Sequence, residues 1–124
     1  MDLILPTNWD NSPKMNFILE LTANFASYQI KRVTEYLAED IKWTLVGDQP
    51  IEGKEHFTAA LLTMSDNRLS TLTIHKILTD GKEAAVHGEK LMEDRKVYSF
   101  AEFYEFDSAS LKKVKAIVSY VIPR

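Results

Sequence analysis

Residues 97–106 read VYSFAEFYEF, a run in which every second position from Tyr98 onward is aromatic apart from Glu102. Side chains two positions apart in a β-strand point to the same face, and alternation of this kind predicts a half-buried strand. Glu102 therefore lies between Phe100 and Tyr104 on an aromatic face. Removal from water disfavours the charged form of a carboxyl group. Glu102 is for this reason the first candidate for acid–base chemistry.

Further strand-like runs flank this segment. Residues 69–79 and 83–92 precede it and are separated by Asp80-Gly81, a strong signal for a two-residue turn. Residues 111–122 follow it after a turn at 107–110. Four strand-like runs joined by short turns predict an antiparallel meander.

The first half of the chain carries helical patterns. Ser12-Pro13 is typical of a helix start, and an apolar stripe follows at helical spacing through Leu21 and Phe25. A second short helix is expected from Ile30 and a third from Gly53, with a strand from Ile41 between them. This order predicts one α+β domain over residues 1–124, in which residues 1–11 form an N-terminal extension.

Composition excludes several classes of function. The chain has 124 residues, of which 45% are apolar and 27% charged, and its formal charge is −3. This acidic balance argues against a nucleic-acid partner, which requires a basic surface. Cysteine is absent, so thiol chemistry and disulfides are excluded. Because no segment resembles a signal peptide or reaches the length of a membrane span, we expect a cytoplasmic protein without membrane association.

The final strand-like run predicts a subunit contact. Ile117, Ser119 and Val121 lie on one face, while Tyr120 and Ile122 lie with other apolar residues on the opposite face. Apolar residues on both faces indicate that both are covered, and the helices of so small a domain cover only one. We therefore expect a homodimer that forms through the outer face of the C-terminal strands.

Two segments resemble a known superfamily. AEDIKWTLVGDQPIEGKEHF (residues 38–57) and VYSFAEFYEFDSASLKKVKAIVSYV (residues 97–121) are similar to the nuclear transport factor two-like superfamily, and most of all to its SnoaL-like group of small bacterial proteins. The resemblance covers about residues 13–122. It implies a cystatin-like α+β fold in which a cone-shaped, curved antiparallel sheet wraps around three N-terminal helices and leaves an apolar pocket. Members of this superfamily include isomerases, dehydratases, cyclases and non-catalytic transport factors.

Ketosteroid isomerase, a member of this superfamily, is a worked example of an apolar site that keeps a carboxylic acid neutral so that it donates a hydrogen bond. The resemblance places Glu102 at that position. It places Leu45 where the isomerase has its catalytic base and Leu21 where it has its oxyanion tyrosine. Neither leucine transfers a proton, so we do not expect steroid isomerisation by that mechanism.

The SnoaL-type cyclases pair a histidine on one strand with an acid on the next. His87 and Glu102 resemble this pair, with His87 as the assisting group. If His87 faces the pocket, Glu89 does so too. The expected pocket residues are Leu21, Phe25, Ile41, Trp43, Leu45, Glu89, Tyr98, Phe100, Tyr104, Ser119 and Val121.

Three functions stay open at this point. The first is a cofactor-free acid–base enzyme, of cyclase, isomerase or dehydratase type, that acts on a small apolar organic substrate. The second is a non-catalytic ligand-binding module, and the third is a dimeric adaptor of the same fold. In either of these two non-catalytic functions, Glu102 and His87 would form only a structural pair. A site of His87, Glu89 and Glu102 for a metal ion is a further alternative, although no metal is expected.

Overall fold

A computed structural model describes all 124 residues. Its three helices are α1 (Pro13–Ala26), α2 (Ile30–Glu35) and α3 (Lys54–Met64). Its seven strands are β1 (Asp2–Ile4), β2 (Leu37–Leu45), β3 (Ile51–Glu52), β4 (Leu69–Asp80), β5 (Glu83–Met92), β6 (Val97–Phe106) and β7 (Val114–Pro123). None of the helices has the length and apolar character that crossing a membrane requires.

The predicted start of α1 is confirmed. The Ser12 hydroxyl accepts a hydrogen bond from the backbone N–H of Met15 at 3.2 Å, and Pro13 occupies the first helical position. This cap satisfies one N–H group that lacks a partner within the helix. The helix buries Leu21 and Phe25 on the predicted stripe, and it ends before Tyr28, whose φ of 58° lies in the left-handed region. The bend expected between the first two helices therefore occurs where α1 gives way to α2.

All seven strands form one sheet in the order β1-β4-β5-β6-β7-β2-β3. The four long strands from β4 to β7 pair antiparallel along the chain, as predicted. The sheet is curved and does not close, and its inner face packs against the helices, which is the α+β cone expected from the resemblance.

The sheet also contains two parallel pairings that alternation does not reveal. β2 pairs with β7, and β1 pairs with β4. β1 lies within residues 1–11, the segment interpreted as an extension, and contributes an edge strand. β2 begins at Leu37, four residues before the expected start, because the exposed Glu39 and Asp40 obscure its apolar pattern.

An aromatic cluster connects α1 and α3 to β2. Trp43 of β2 lies 5.2 Å from Phe25 of α1 and 5.0 Å from Phe57 of α3, measured between ring centroids. Aromatic pairs at these separations combine a large buried area with a preferred geometry. The cluster fixes two helices against the sheet on one side of a cavity.

Candidate active site

A cavity of about 260 Å³ lies between the inner face of the sheet and helices α1 and α3. Most of its wall is apolar, with a few polar groups among the apolar side chains, as is typical of small-molecule sites. Its size is just below the roughly 300–1,000 Å³ common for drug-sized ligands, so it suits a small molecule. The wall consists of Thr22, Phe25, Ala26, Tyr28, Trp43, Leu45, Leu61, Met64, Asn67, Leu69, Lys90, Met92, Tyr98, Phe100, Glu102, Ser119 and Val121.

Glu102 lies deep in this cavity and is only 3% exposed. Ser119 of β7 is its partner in register, and the Ser119 hydroxyl donates a hydrogen bond to Oε2 of Glu102. The indole N–H of Trp43 donates in turn to the Ser119 hydroxyl oxygen at 2.9 Å. Three adjacent strands therefore hold the carboxyl group through a continuous chain of hydrogen bonds.

The environment of Glu102 changes its acidity. Burial raises the pKa of Glu102 from 4.5 to about 7, while the positive charge of Lys90 and the hydrogen bond from Ser119 act in the opposite direction. Burial dominates because the apolar wall solvates a carboxylate poorly. Near neutral pH the group is therefore present in both protonation states, which suits a residue that accepts and returns protons.

A second polar pair joins Thr22 on the cavity wall to Tyr104 behind it. The hydroxyl groups of Thr22 and Tyr104 are 2.8 Å apart and form a buried hydrogen bond. Burial, reinforced by the nearby Glu102, raises the pKa of Tyr104 well above its usual value. Tyr104 is therefore a neutral phenol that ties α1 to β6.

The structure brings together most of the residues expected at the pocket. Ile41, Leu21 and Tyr104 are buried in the core instead and do not contribute to the wall of the cavity. The residues found on the wall as expected are Phe25, Trp43, Leu45, Tyr98, Phe100, Glu102, Ser119 and Val121.

The expected positions of His87 and Glu89 are wrong. In the register of β5 with β6, His87 is opposite Ala101, whereas Val86 is opposite Glu102. Neighbouring residues of a strand point to opposite faces, so His87 and Glu89 lie on the outer face. A sheet separates the imidazole from the carboxyl group, and His87 does not assist Glu102.

The outer-face residues have partners of their own. The His87 ring lies 5.5 Å from the His75 ring, and Glu89 pairs with the guanidinium of Arg124. The metal site considered for His87, Glu89 and Glu102 is therefore also wrong, because these side chains do not converge. No group of three or more His, Asp or Glu in the chain is arranged to hold a metal ion.

Several wall residues were not predicted. Thr22 and Ala26 come from α1, Leu61 and Met64 from α3, and Lys90 and Met92 from β5. For β5 a signal was available, because Val86, Lys90 and Met92 share one face with the buried Ala84. For the helices there was none, since periodicity indicates which face is buried but not where the packing leaves a gap.

Comparison with known proteins places this geometry in context. The family model of the SnoaL-like domain matches residues 18–113. No curated protein matches the sequence significantly.

Solved structures resemble the chain in fold. A candidate SnoaL-like polyketide cyclase from Shewanella putrefaciens has a TM-score of 0.75 at 8% identity over 91% of this chain and 92% of that one. An NTF2-like protein of unknown function from Cytophaga hutchinsonii gives 0.69 at 19% identity, with coverages of 86% and 97%. An epoxide hydrolase from M. tuberculosis, described as LEH-like, gives 0.69 at 16% identity, with coverages of 86% and 80%. At these identities the likeness establishes a common fold and does not establish a common activity.

Proposed function

The chain belongs to the SnoaL-like domain family, and we propose that its cavity binds a small, largely apolar organic molecule on which Glu102 catalyses proton transfer without a cofactor. The reaction would be of cyclase, isomerase or dehydratase type. The observation that carries this proposal is the buried Glu102 carboxyl group, whose pKa is about 7 and which lies in the wall of an apolar cavity. On this fold one scaffold serves many reactions, so the argument depends on the site and not on the family.

The chemistry follows from the surroundings of one carboxyl group. As a carboxylate, Glu102 removes a proton from a substrate carbon, and as an acid it returns the proton at a second position or to a leaving oxygen. The hydrogen bonds from Trp43 to Ser119 and from Ser119 to Oε2 hold the group in one orientation. Such positioning matters because a displacement of about 1 Å at a reacting atom can cost roughly 100-fold in rate.

A generic probe tests the proposal without knowledge of the substrate. 5-Nitrobenzisoxazole loses its ring C–H proton to a base while its N–O bond breaks, which gives a coloured cyanonitrophenolate. We expect wild-type protein to accelerate this elimination, with a rate that rises as the pH increases through about 7 because Glu102 becomes ionised. Glu102→Gln should abolish the acceleration. Glu105→Gln, on the outer face of the same strand, should leave it unchanged.

Equal rates for wild type and Glu102→Gln would contradict the acid–base role. Binding of the probe without acceleration would favour the alternative, a non-catalytic ligand-binding module. Saturation transfer NMR on the same samples reports binding independently of turnover, so the two functions give different results.

We also infer that two copies of the chain assemble through the outer face of the sheet. An open groove of about 430 Å³ crosses this face, with Ala85 and Ala101 among the residues that line it. Phe103 and Tyr120 also line this groove, where they form an edge-to-face pair and are 51% and 43% exposed. Because exposed apolar side chains are concentrated on this one face, burial against the same face of a second copy about a two-fold axis would remove them from water. A cytoplasmic location also stays a prediction.

A further inference from the structure

Lys90 is the only cationic residue on the wall of the cavity. It lies on the inner face of β5, where it is opposite Leu72 of β4 and Tyr98 of β6. Its ammonium nitrogen is 5.1 Å from the centroid of the Phe100 ring. Phe100 and Glu102 point to the same face of β6. The lysine therefore extends along the same apolar wall that leads to the carboxyl group.

Lys90 has no polar partner within the chain. Lys54, Lys96 and Lys115 each have a carboxylate oxygen within 4.0 Å, but Lys90 forms neither an ion pair nor a hydrogen bond within the chain. Glu102, the only carboxyl group on the wall, is directed to Ser119 through Oε2. The Phe100 ring attracts the ammonium group but carries no net charge that would neutralise it. The cavity thus presents a positive charge that no carboxylate group contacts directly.

The remaining polar groups on the wall divide by depth. Deep in the cavity, the Thr22 hydroxyl is hydrogen-bonded to Tyr104. The Ser119 hydroxyl is hydrogen-bonded to both Trp43 and Glu102. The half-buried Tyr28 and Tyr98 and the exposed Asn67 form no side-chain hydrogen bond within the chain and lie nearer to solvent. A ligand would therefore place its apolar body against Phe25, Trp43 and Phe100 and direct a polar group toward Lys90.

We propose that the ligand of this cavity is a small organic carboxylate, whose anionic group pairs with Lys90 while its apolar body contacts the wall beside Glu102. This inference rests on the proposed function and narrows the class of substrate. An ion pair formed inside an apolar cavity is stronger than one on the surface, because the local dielectric constant is lower. It also gives a direction to the bound molecule, since one end is fixed at the lysine.

A pair of ligands that differ in charge tests this proposal. Calorimetric titration with 2-naphthoate and with 2-naphthamide at pH 6 compares an anion with a neutral compound of nearly the same shape. We expect wild type to bind 2-naphthoate at least tenfold more tightly. Lys90→Met, which keeps the length of the side chain but removes its charge, should bind both compounds equally. Lys90→Arg should restore the preference.

A matched control uses the exposed Lys76 of β4, which lines the outer groove. Lys76→Met should retain the wild-type preference for 2-naphthoate. Circular dichroism and the binding of 2-naphthamide establish that each variant is folded with its cavity intact.

Each outcome bears on a separate claim. A preference that persists in Lys90→Met, or equal binding of the two compounds by wild type, overturns the carboxylate inference but leaves an apolar ligand site. Absence of binding by either compound overturns the inference together with the proposed ligand-binding function. A Lys90-dependent preference without base catalysis of 5-nitrobenzisoxazole supports the carboxylate inference and contradicts the enzymatic role of Glu102.

Discussion

Glu102 couples the stability of the chain to pH. Its pKa is raised from 4.5 to about 7, so the folded state binds the proton more tightly than the unfolded chain does. A difference of this kind lowers the free energy of unfolding as the pH rises between the two values. The contribution of the neutral carboxyl group to the free energy of unfolding is therefore fully present below about pH 4.5, and it is lost as the pH rises through about 7.

Replacement of Glu102 by glutamine should remove this pH dependence. One unit of pKa shift corresponds to about 1.4 kcal/mol. We therefore expect the free energy of unfolding of Glu102→Gln, relative to that of wild type, to increase by roughly 3 kcal/mol between pH 4.5 and pH 8. Urea denaturation of both proteins across this range measures the difference. Glu83→Gln, an exposed position on β5, serves as control. A difference between Glu102→Gln and wild type that is constant with pH would show that the carboxyl group is not buried as described.

Ser119 should lower the pKa of Glu102. Its hydrogen bond to Oε2 of Glu102 stabilises the carboxylate form and lowers the pKa. We therefore expect Ser119→Ala to raise the midpoint of Glu102 above the wild-type value, as measured by NMR of the labelled side-chain carboxyl carbon. Ser99→Ala, on the outer face of β6, should leave the midpoint where it is. A lower midpoint in Ser119→Ala would contradict the assigned direction of the hydrogen bond.

At the scale of single residues, the aromatic alternation of β6 suffices to predict Glu102 as a buried carboxyl group, because a strand fixes which side chains share a face. The prediction for His87 is wrong because it followed the resemblance and not the alternation. The resemblance to the SnoaL-type cyclases puts a histidine beside the acid, but the apolar residues of β5 favour the opposite face: Val86 and Met92 are buried and His87 is exposed. A shift of one residue in register exchanges the two faces of a strand, so the apolar pattern is the better guide.

At the scale of elements, the contact between β4 and β5 depends on a glycine. The register of the two strands shifts between Ile74 and Lys76, which makes His75 an extra residue in β4. Gly88 lies opposite Ile74, and a Cβ atom there would be 1.9 Å from the carbonyl oxygen of Thr73. Only a residue without a side chain permits so close an approach of the two backbones.

Gly88→Ala should therefore destabilise the sheet. The added methyl group meets backbone on one side and the Phe100 ring at 3.1 Å on the other. We expect a loss of roughly 1–3 kcal/mol or more in the free energy of unfolding, measured with urea. Gly81→Ala is the comparison, because a Cβ atom there meets nothing within 4 Å and only the φ of 58° opposes it, at a cost of roughly 1–2 kcal/mol. Wild-type stability in Gly88→Ala would contradict the close approach.

The bounds of β5 and β6 were predictable because turn signals and alternation agree there. The parallel pairing of β2 with β7 was not, because residues 37–45 and 114–123 are far apart in the chain and nothing local to either segment specifies the partner. The bulge at the start of β7 was not predictable from the local sequence either. It turns Val114 into the core, whereas strict alternation along the strand would put Val114 on the same face as the exposed Tyr120.

At the scale of the whole molecule, the outer groove leads to a prediction about assembly. Light scattering after size exclusion should give twice the mass of one chain for wild type. Phe103→Arg should give monomers, because a charge at the centre of an apolar contact is costly to desolvate. Leu62→Arg, at a 61% exposed position on α3, should leave the dimer intact. A monomeric wild type, or a Phe103→Arg variant that remains dimeric, would contradict assembly through this face.

Finally, the strand order has a consequence for how the protein behaves at high concentration. The two margins of the sheet are β1 and β3, which have three and two residues, whereas β4 next to β1 has twelve. A long strand with free N–H and C=O groups recruits strands from other molecules and starts aggregation. Residues 2–4 occupy part of that margin through their pairing with residues 71–73. Three residues near the start of the chain thus shorten the free edge that β4 would otherwise offer to a strand of another molecule.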